Sequence, residues 1–119
     1  MFRKLLKSKI HRAVVTGSDL NYVGSITIDK NLLAKAGIRE FEFVQVVNIN
    51  NGARFETYAV AGQADSGVIE LDGAAARLAQ PGDRIIIMTY VYMEEPLPEE
   101  WQPTIVLVND QNKVEEILC

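Results

Sequence analysis

Apolar and polar residues alternate along much of the chain, in short runs that are separated by turn residues. Successive side chains of a β-strand point to opposite faces, so this alternation predicts strands that are buried on one side. In the first run Lys9 and His11 share one face, while Ile10 points to the other. The sequence Asn-Asn-Gly at 50–52 predicts the tight turn of a hairpin. The predicted strands are 8–16, 22–29, 43–49, 55–61, 68–71, 84–93, 104–108 and 114–118.

The same pattern predicts only two helices, and both are short. Asp29 and Gly37 are suited to begin and end a helix over 31–36, and Asp72 is suited to cap a second one over 73–78. Strands dominate, and they do not alternate with long helices. We therefore expect a mainly β fold, a small β-barrel with short helical insertions. A β-sandwich is the second choice.

The composition narrows the classes of partner. The length fits a single domain over residues 1–119. Sixteen acidic and twelve basic residues give a net charge of −4, which argues against nucleic acid or an anionic membrane as a partner. No apolar run reaches membrane-spanning length. Cys119 is the only cysteine, so we expect no internal disulfide, a reducing cytoplasm and a frayed end there. With only one histidine besides, the sequence excludes a His/Cys metal site.

The pair Gly24-Ser25 interrupts the predicted strand YVGSITID at 22–29. A glycine weakens a strand and usually marks a bulge, a bend or a close approach to the backbone. The Ser25 hydroxyl can attack the preceding peptide bond, and elimination of the resulting ester leaves a dehydroalanine that hydrolyses to a pyruvoyl group. From these two residues alone, a simple bulge is the commoner explanation. The sequence contains no G-x-S-x-G elbow, P-loop or H-E-x-x-H motif.

The surroundings of this pair carry a resemblance that runs in order along nearly the whole chain. The similar stretches are KIHRAVVTGSDLNYVGSITID (9–29), NNGARFETYA (50–59), GVIELDGAAARL (67–78), PGDRIIIMTY (81–90) and QPTIVLV (102–108). Together they resemble the pyruvoyl-dependent aspartate decarboxylase family. The resemblance implies a double-psi β-barrel and a homotetramer. It also implies self-cleavage between Gly24 and Ser25 into a β chain, 1–24, and an α chain, 25–119.

The same resemblance implies a chemistry. The family is a group of carboxy-lyases that convert L-aspartate to β-alanine and CO₂ for pantothenate and coenzyme A synthesis. A pyruvoyl group derived from Ser25 would form a Schiff base with the substrate amine, in the role that pyridoxal phosphate has elsewhere. No metal and no pyridoxal phosphate are expected. Whether cleavage needs a maturation factor stays open.

Four further residues receive roles from the resemblance. Arg54 would hold the second carboxylate of the substrate, because a guanidinium matches a carboxylate in geometry, and Lys9 would add positive charge. Tyr58 would return a proton to the decarboxylated carbon. Thr57 would contact the substrate and assist the cleavage. Without the resemblance, these residues read as solvated charges and ordinary strand side chains.

A second group of candidates surrounds these. Gly73, Ala74 and Ala75 offer backbone N–H groups at the start of a short helix, which suits an anion, although a tightly packed helix start is the plainer explanation. His11 and Tyr22 line the same site in the family and rank lower here.

Asp72 departs from the family, which commonly has asparagine at this position. As a helix cap the exchange is nearly neutral. Beside a substrate with two carboxylates, however, it removes an amide donor and adds a negative charge. We expect a working enzyme whose efficiency or rate of self-cleavage depends on this residue.

Two other functions stay open on the sequence. The first is a non-catalytic barrel that binds a small anion through Arg54 and the helix start at Gly73. The second is a serine hydrolase with Ser25 as nucleophile and His11 as base, for which no acidic partner residue is evident. A chain that never cleaves would favour the first, and labelling by a serine-directed phosphonate would favour the second.

Overall fold

The computed structural model describes residues 1–118 as nine strands, one α-helix and one 3₁₀ helix. The strands are β1 (Phe2–Val14), β2 (Gly17–Asp19), β3 (Ser25–Asp29), β4 (Phe43–Asn48), β5 (Arg54–Gly62), β6 (Ile69–Asp72), β7 (Arg84–Glu94), β8 (Thr104–Val108) and β9 (Val114–Leu118). The helices are α1 (Lys30–Ala36) and the 3₁₀ helix (Gly73–Arg77). Within the described residues, neither helix has the length and apolar character needed to span a membrane. Cys119, the expected frayed end, lies outside the described residues.

All nine strands belong to one sheet, in the order β2-β6-β3-β5-β4-β7-β1-β8-β9. The first strand lies inside this sheet and not at its edge. It pairs antiparallel with β7 from Phe2 opposite Glu94 to Val14 opposite Arg84, and parallel with β8 along its second half. The prediction of a mainly β fold is confirmed. Closure of the sheet into a barrel and the double-psi topology stay predictions.

Several boundaries differ from the predicted ones. β1 begins at Phe2 and not at residue 8, because the basic start of the chain is held by its pairing with β7. β2 was not predicted, since its three residues form a strand only by pairing with β6. The strand predicted over 22–29 begins at Ser25, so Gly24 precedes the strand and does not interrupt it.

The core lies between the faces of these strands. It is built mainly from β-branched and leucine side chains, each worth about 1.5–3 kcal/mol of burial. The fully buried members include Ile10, Ile26, Ile28, Leu32, Val44, Val46, Ile69, Leu71, Ile85, Ile87 and Val106. In β3, Ile26 and Ile28 alternate with Ser25 and Thr27, so the hydroxyls share the other face of that strand.

The local signals of the helix and hairpin are confirmed. The Asp29 side chain accepts a hydrogen bond from the N–H of Asn31 at the start of α1. Gly37 ends the helix in the left-handed conformation, at φ 70°. The turn at 50–52 joins β4 and β5 as an antiparallel hairpin.

Asp29 holds more than the helix start. Its carboxylate also accepts the N–H groups of Asp65 at 3.0 Å and Gly67 at 2.8 Å, so it fixes the loop before β6. Burial alone would raise the pKa of Asp29, but the three N–H donors and the charge of Lys113 together lower it. The ionised carboxylate is therefore part of the folded structure.

We expect Asp29→Ala to lower the free energy of unfolding by about 2–4 kcal/mol, because a helix cap is lost and buried N–H groups lose their acceptor. Since the folded-state pKa lies below the ordinary value of 3.8, this contribution is complete above that value. It is lost as the pH falls through the folded-state pKa. Urea unfolding at about pH 7 and about pH 3 measures both effects.

The matched control is Asp29→Asn, which keeps one oxygen acceptor but cannot titrate. It should lose less stability than the alanine variant, and acid should weaken it less than the wild type. A loss below about 0.5 kcal/mol for Asp29→Ala at neutral pH would contradict this account.

Candidate active site

Ser25 is the first residue of β3, and its neighbours are set by strand pairing. β3 lies between β5 and β6, parallel to the first and antiparallel to the second. Ser25 lies directly opposite Asp72, and Thr27 lies directly opposite Glu70. Ser25 is only 3% exposed although it follows an exposed turn. The sheet therefore surrounds a buried hydroxyl with polar side chains.

The Asp72 carboxylate is the hydrogen-bond partner of this hydroxyl. Ser25 Oγ donates to Asp72 Oδ2 at 3.4 Å, and Thr27 Oγ1 donates to the same oxygen at 3.1 Å. The other oxygen, Asp72 Oδ1, is buried and has no hydrogen-bond partner among the described residues. The carboxylate is thus directed at the side-chain hydroxyls of Ser25 and Thr27.

The prediction that Asp72 caps a helix is wrong in its side-chain role. Asp72 stands at the cap position, but its side chain makes no capping hydrogen bond, and the segment that follows is a 3₁₀ helix. The physical reason is that the carboxylate is turned across the sheet, to the hydroxyls of Ser25 and Thr27. These two hydroxyls take the place of the N–H groups that a cap would bind.

Gly73 brings its backbone against the peptide that precedes Ser25. It has φ +65°, a conformation that side chains disfavour. A Cβ at this position would lie 2.7 Å from the Cα of Gly24, 2.9 Å from its nitrogen and 3.1 Å from the carbonyl oxygen of Tyr22. Only a glycine at 73 permits this packing, so the turn before Ser25 is held by direct backbone contact.

A cavity of about 220 Å³ opens beside this contact. It brings together the predicted residues Gly24, Thr57, Asp72, Ala74 and Ala75. The small side chains of the two alanines leave the backbone at the start of the 3₁₀ helix open to the cavity. The arrangement can hold a small ligand next to the Gly24-Ser25 bond.

Two predicted residues of β5 do not line this cavity. Arg54 is exposed at the start of the strand. Tyr58 is half-buried and packs against Phe41, with 6.4 Å between the ring centroids. Within one chain, neither the guanidinium nor the phenol belongs to the walls beside Gly24.

Lys9 and His11 lie elsewhere in the sheet, on β1. His11 lines a separate cavity of about 520 Å³ with Arg12 and Arg84. Burial, followed by the charges of Lys9 and Arg12, lowers the pKa of His11, and its Nδ1 is buried without a partner among the described residues. The Ser25 hydroxyl bonds to Asp72, and no hydrogen bond in residues 1–118 links it to His11, as a hydrolase pair would need.

Tyr22 lies in the turn before the strand and is 59% exposed. Its side chain reaches solvent, while its carbonyl oxygen lies near Gly73. Tyr22 therefore contributes backbone to the site in this chain.

Glu70 is a polar residue of this region that the sequence analysis missed. The Asp72 side chain, which would accept a proton held by Glu70, is the largest cause that raises the pKa of Glu70, followed by burial and the charges of Asp72 and Asp19. The signal was available, because residues two apart in a strand share a face. Glu70 lies in the strand predicted over 68–71, and Asp72 follows that strand directly.

Comparison with known proteins identifies the family. The family described as "Aspartate decarboxylase" matches residues 1–115. The Aspartate 1-decarboxylase of Clostridium beijerinckii is 57% identical over 117 residues, 98% of this chain and 94% of the relative. The enzyme of the same name from Neisseria meningitidis serogroup C is 56% identical, over 99% of this chain and 93% of the relative. That of Caldicellulosiruptor bescii is 60% identical, over 96% and 89%. The resemblance found in the sequence is thus confirmed, and the chain belongs to the aspartate decarboxylase family.

Proposed function

We propose that this protein decarboxylates L-aspartate to β-alanine and CO₂ in the cytoplasm, for pantothenate and coenzyme A synthesis, after cleaving itself between Gly24 and Ser25. Family membership supports the reaction. The observation that carries the cleavage is the buried Ser25 hydroxyl, which faces the Asp72 carboxylate at 3.4 Å directly after the turn that Gly73 holds.

The cleavage uses the chain's own atoms. Ser25 Oγ attacks the carbonyl carbon of Gly24 as it gives up its proton, and the C–N bond breaks to leave an ester and a free amine. Loss of the Cα proton of Ser25 expels the Gly24 carboxylate and leaves a dehydroalanine. One water then replaces the nitrogen, so that ammonia leaves and a pyruvoyl group remains. Asp72 Oδ2 is the acceptor that the geometry offers for the hydroxyl proton.

The residues around position 25 fit a pyruvoyl group. Its three carbons are those of Ser25 and its ketone oxygen replaces the nitrogen, so it needs no more space than the serine already fills. The Thr27 hydroxyl lies on the same strand face, and the Gly24 end of the adjoining cavity offers room for a substrate. Once formed, the group supplies a ketone that binds an amine and withdraws electrons from the bond to be broken.

The substrate is held by charge and by geometry in this proposal. Arg54 binds the side-chain carboxylate, and Lys9 adds positive charge. Thr57 contacts the substrate, and backbone N–H groups at Gly73, Ala74 and Ala75 face its anionic groups. Exclusion of water near the α-carboxylate favours its loss, because CO₂ carries no charge. Tyr58 gives the proton that replaces it.

The proposed assembly is a homotetramer in which neighbouring copies complete the site. It is supported by the separation of Lys9, Arg54 and Tyr58 from the walls of the cavity within one chain. It is also supported by large apolar side chains that a monomer leaves exposed. The most exposed of these in residues 2–118 include Val23, Phe41, Tyr92, Phe2, Tyr22 and Phe43.

Intact-mass spectrometry before and after warm incubation tests this function. We expect two chains, 1–24 and 25–119, with the larger lighter by one ammonia than hydrolysis alone predicts. The cleaved protein should then release β-alanine from L-aspartate, measured by amino-acid analysis. A chain that stays intact, and stays intact when cell extract is added as a source of a maturation factor, would contradict the proposal.

A further inference from the structure

We propose that the Glu70 and Asp72 carboxyls share one proton, and that this singly ionised pair holds the Asp72 carboxylate in place to accept the Ser25 proton during cleavage. Glu70 is then a positioning residue, which acts through Asp72. The inference rests on the proposed self-cleavage and names what regulates it. We call Glu70 and Asp72 the carboxyl pair.

The strand register puts the carboxyl pair next to the reacting bond. Glu70 and Asp72 are two residues apart on β6, so their side chains leave the same face of the strand. Thr27 and Ser25 lie directly opposite them on β3. Two carboxyls and two hydroxyls therefore occupy one face, and Asp72 is the member that contacts both hydroxyls.

The neighbouring strand leaves room for the Glu70 carboxyl. Gly17 of β2 lies opposite Glu70, and a Cβ there would come within 3.3 Å of Glu70 Oε2. The carboxyl thus extends over a residue that has no side chain. On the other side, Asp72 Oδ1 is buried and has no partner among residues 1–118 once the two hydroxyls are assigned to Oδ2. A proton on Glu70 supplies the donor that this oxygen lacks.

The charges around the pair favour a retained proton. Asp19 lies on β2 opposite Asp72, and Asp29 ends β3 on the face that carries Ser25 and Thr27. None of the three ion pairs formed within the described residues involves these four carboxylates. The Asp72 side chain, burial and the charges of Asp72 and Asp19 raise the pKa of Glu70. Two like charges on one face of a strand repel each other, and Asp72 is buried, so one proton stays.

The shared proton has a chemical consequence. With one negative charge, the pair leaves Asp72 Oδ2 free to take the proton of Ser25 Oγ as the new C–O bond forms. The same proton then passes to the nitrogen of Ser25 as the C–N bond breaks, and the pair returns to its starting state. When Glu70 also ionises, repulsion moves the carboxyls apart, and a second charge opposes the negative charge that develops on the Gly24 oxygen. Cleavage then slows.

The pH profile of cleavage distinguishes this role from a structural one. The raised pKa of Glu70 means that the folded chain binds its proton more tightly, and the active state is lost as the pH rises through that value. In the wild type we expect the rate constant to fall by up to about tenfold per pH unit above it. Glu70→Gln cannot ionise, so its profile should be flat there. Below the folded-state pKa of Glu70 the two rates should be similar, and above it the ratio of the variant to the wild type should grow by up to about tenfold per pH unit.

Two further variants complete the design, with cleavage followed by intact mass. Glu116→Gln makes the same change at an exposed position of β9 and should leave the wild-type profile unchanged. Asp72→Asn removes the proton acceptor, so we expect slower cleavage at every pH. Its amide also places a donor next to Glu70, so the proton on Glu70 is no longer needed. The fall at high pH should therefore vanish, and adding Glu70→Gln to this variant should change nothing. Parallel profiles for wild type and Glu70→Gln would overturn the inference.

A second measurement tests the shared proton in a chain that does not cleave, and so does not depend on the proposed function. The Ser25→Ala chain cannot cleave, and carboxyl ¹³C NMR can follow the titration of Glu70 in it. We expect a value above the ordinary 4.5, which returns towards 4.5 when Asp72→Asn is added. If the wild type never cleaves, the proposed function fails, and this titration still tests the shared proton. An unshifted Glu70 in that chain would overturn it.

Discussion

Ser25→Ala is expected to abolish both chain cleavage and the formation of β-alanine. The alanine has no oxygen to attack the carbonyl of Gly24, and it cannot yield a ketone by elimination. Because Ser25 is buried and its hydroxyl makes one long hydrogen bond, the methyl group should fit with little loss of stability. We expect a single intact chain at every time point and a loss of activity of at least about 10³-fold.

Ser18→Ala is the matched control for this experiment. Ser18 lies on β2, is exposed, and loses the same hydroxyl without touching the site. This variant should cleave and decarboxylate like the wild type. Release of β-alanine by the Ser25→Ala chain at a comparable rate would contradict the assignment of the cofactor to this residue.

Gly73→Ala is expected to have the next largest effect, on cleavage and on stability together. Its Cβ would stand 2.7 Å from the Cα and 2.9 Å from the nitrogen of Gly24, and these two atoms belong to backbone that cannot turn aside as a side chain can. Either the turn before Ser25 or the start of the 3₁₀ helix must move, and the attack geometry is lost with it. We expect cleavage to slow by at least about 10²-fold, as small displacements do in other reactions.

Gly52→Ala is the control that separates the effect of the contact with Gly24 from the effect of a positive φ at an alanine. Gly52 has φ +75°, close to the +65° of Gly73, but a Cβ there would meet nothing within 4 Å. It should lose about 1 kcal/mol of stability and cleave normally. Urea unfolding and intact mass on both variants give the comparison. Equal cleavage rates for the two would show that the contact with Gly24 does not matter.

Features that depend on neighbouring residues could be read from the sequence. The cap at Asp29, the glycine that ends α1 and the turn at 50–52 each need only a few residues in a row, and each was correct. The alternation of apolar residues located most strands for the same reason. The resemblance added the Gly24-Ser25 bond, which no local rule distinguishes from a bulge.

Features that depend on residues distant in the sequence could not be predicted from it. β2 forms a strand only beside β6, about fifty residues away in sequence, so three residues without an apolar pattern gave no sign of it. Asp72 looked like a cap because it precedes a helix. Its actual partners, Ser25 and Thr27, come from a strand that only the folded sheet brings opposite. Sequence spacing likewise could not show that Tyr58 packs against Phe41.

The inner position of β1 changes the molecularity of refolding once the chain is cut. This strand lies between β7 and β8, yet it belongs to the fragment 1–24, which the proposed cleavage would separate covalently from both. The sheet of the uncut chain forms within one molecule, so that step does not depend on concentration. The cut protein stays whole while it is folded, but after denaturation two molecules must meet to restore the sheet. The yield of the restored sheet should therefore fall on dilution for the cut protein, whereas the uncut chain needs no second fragment to form it.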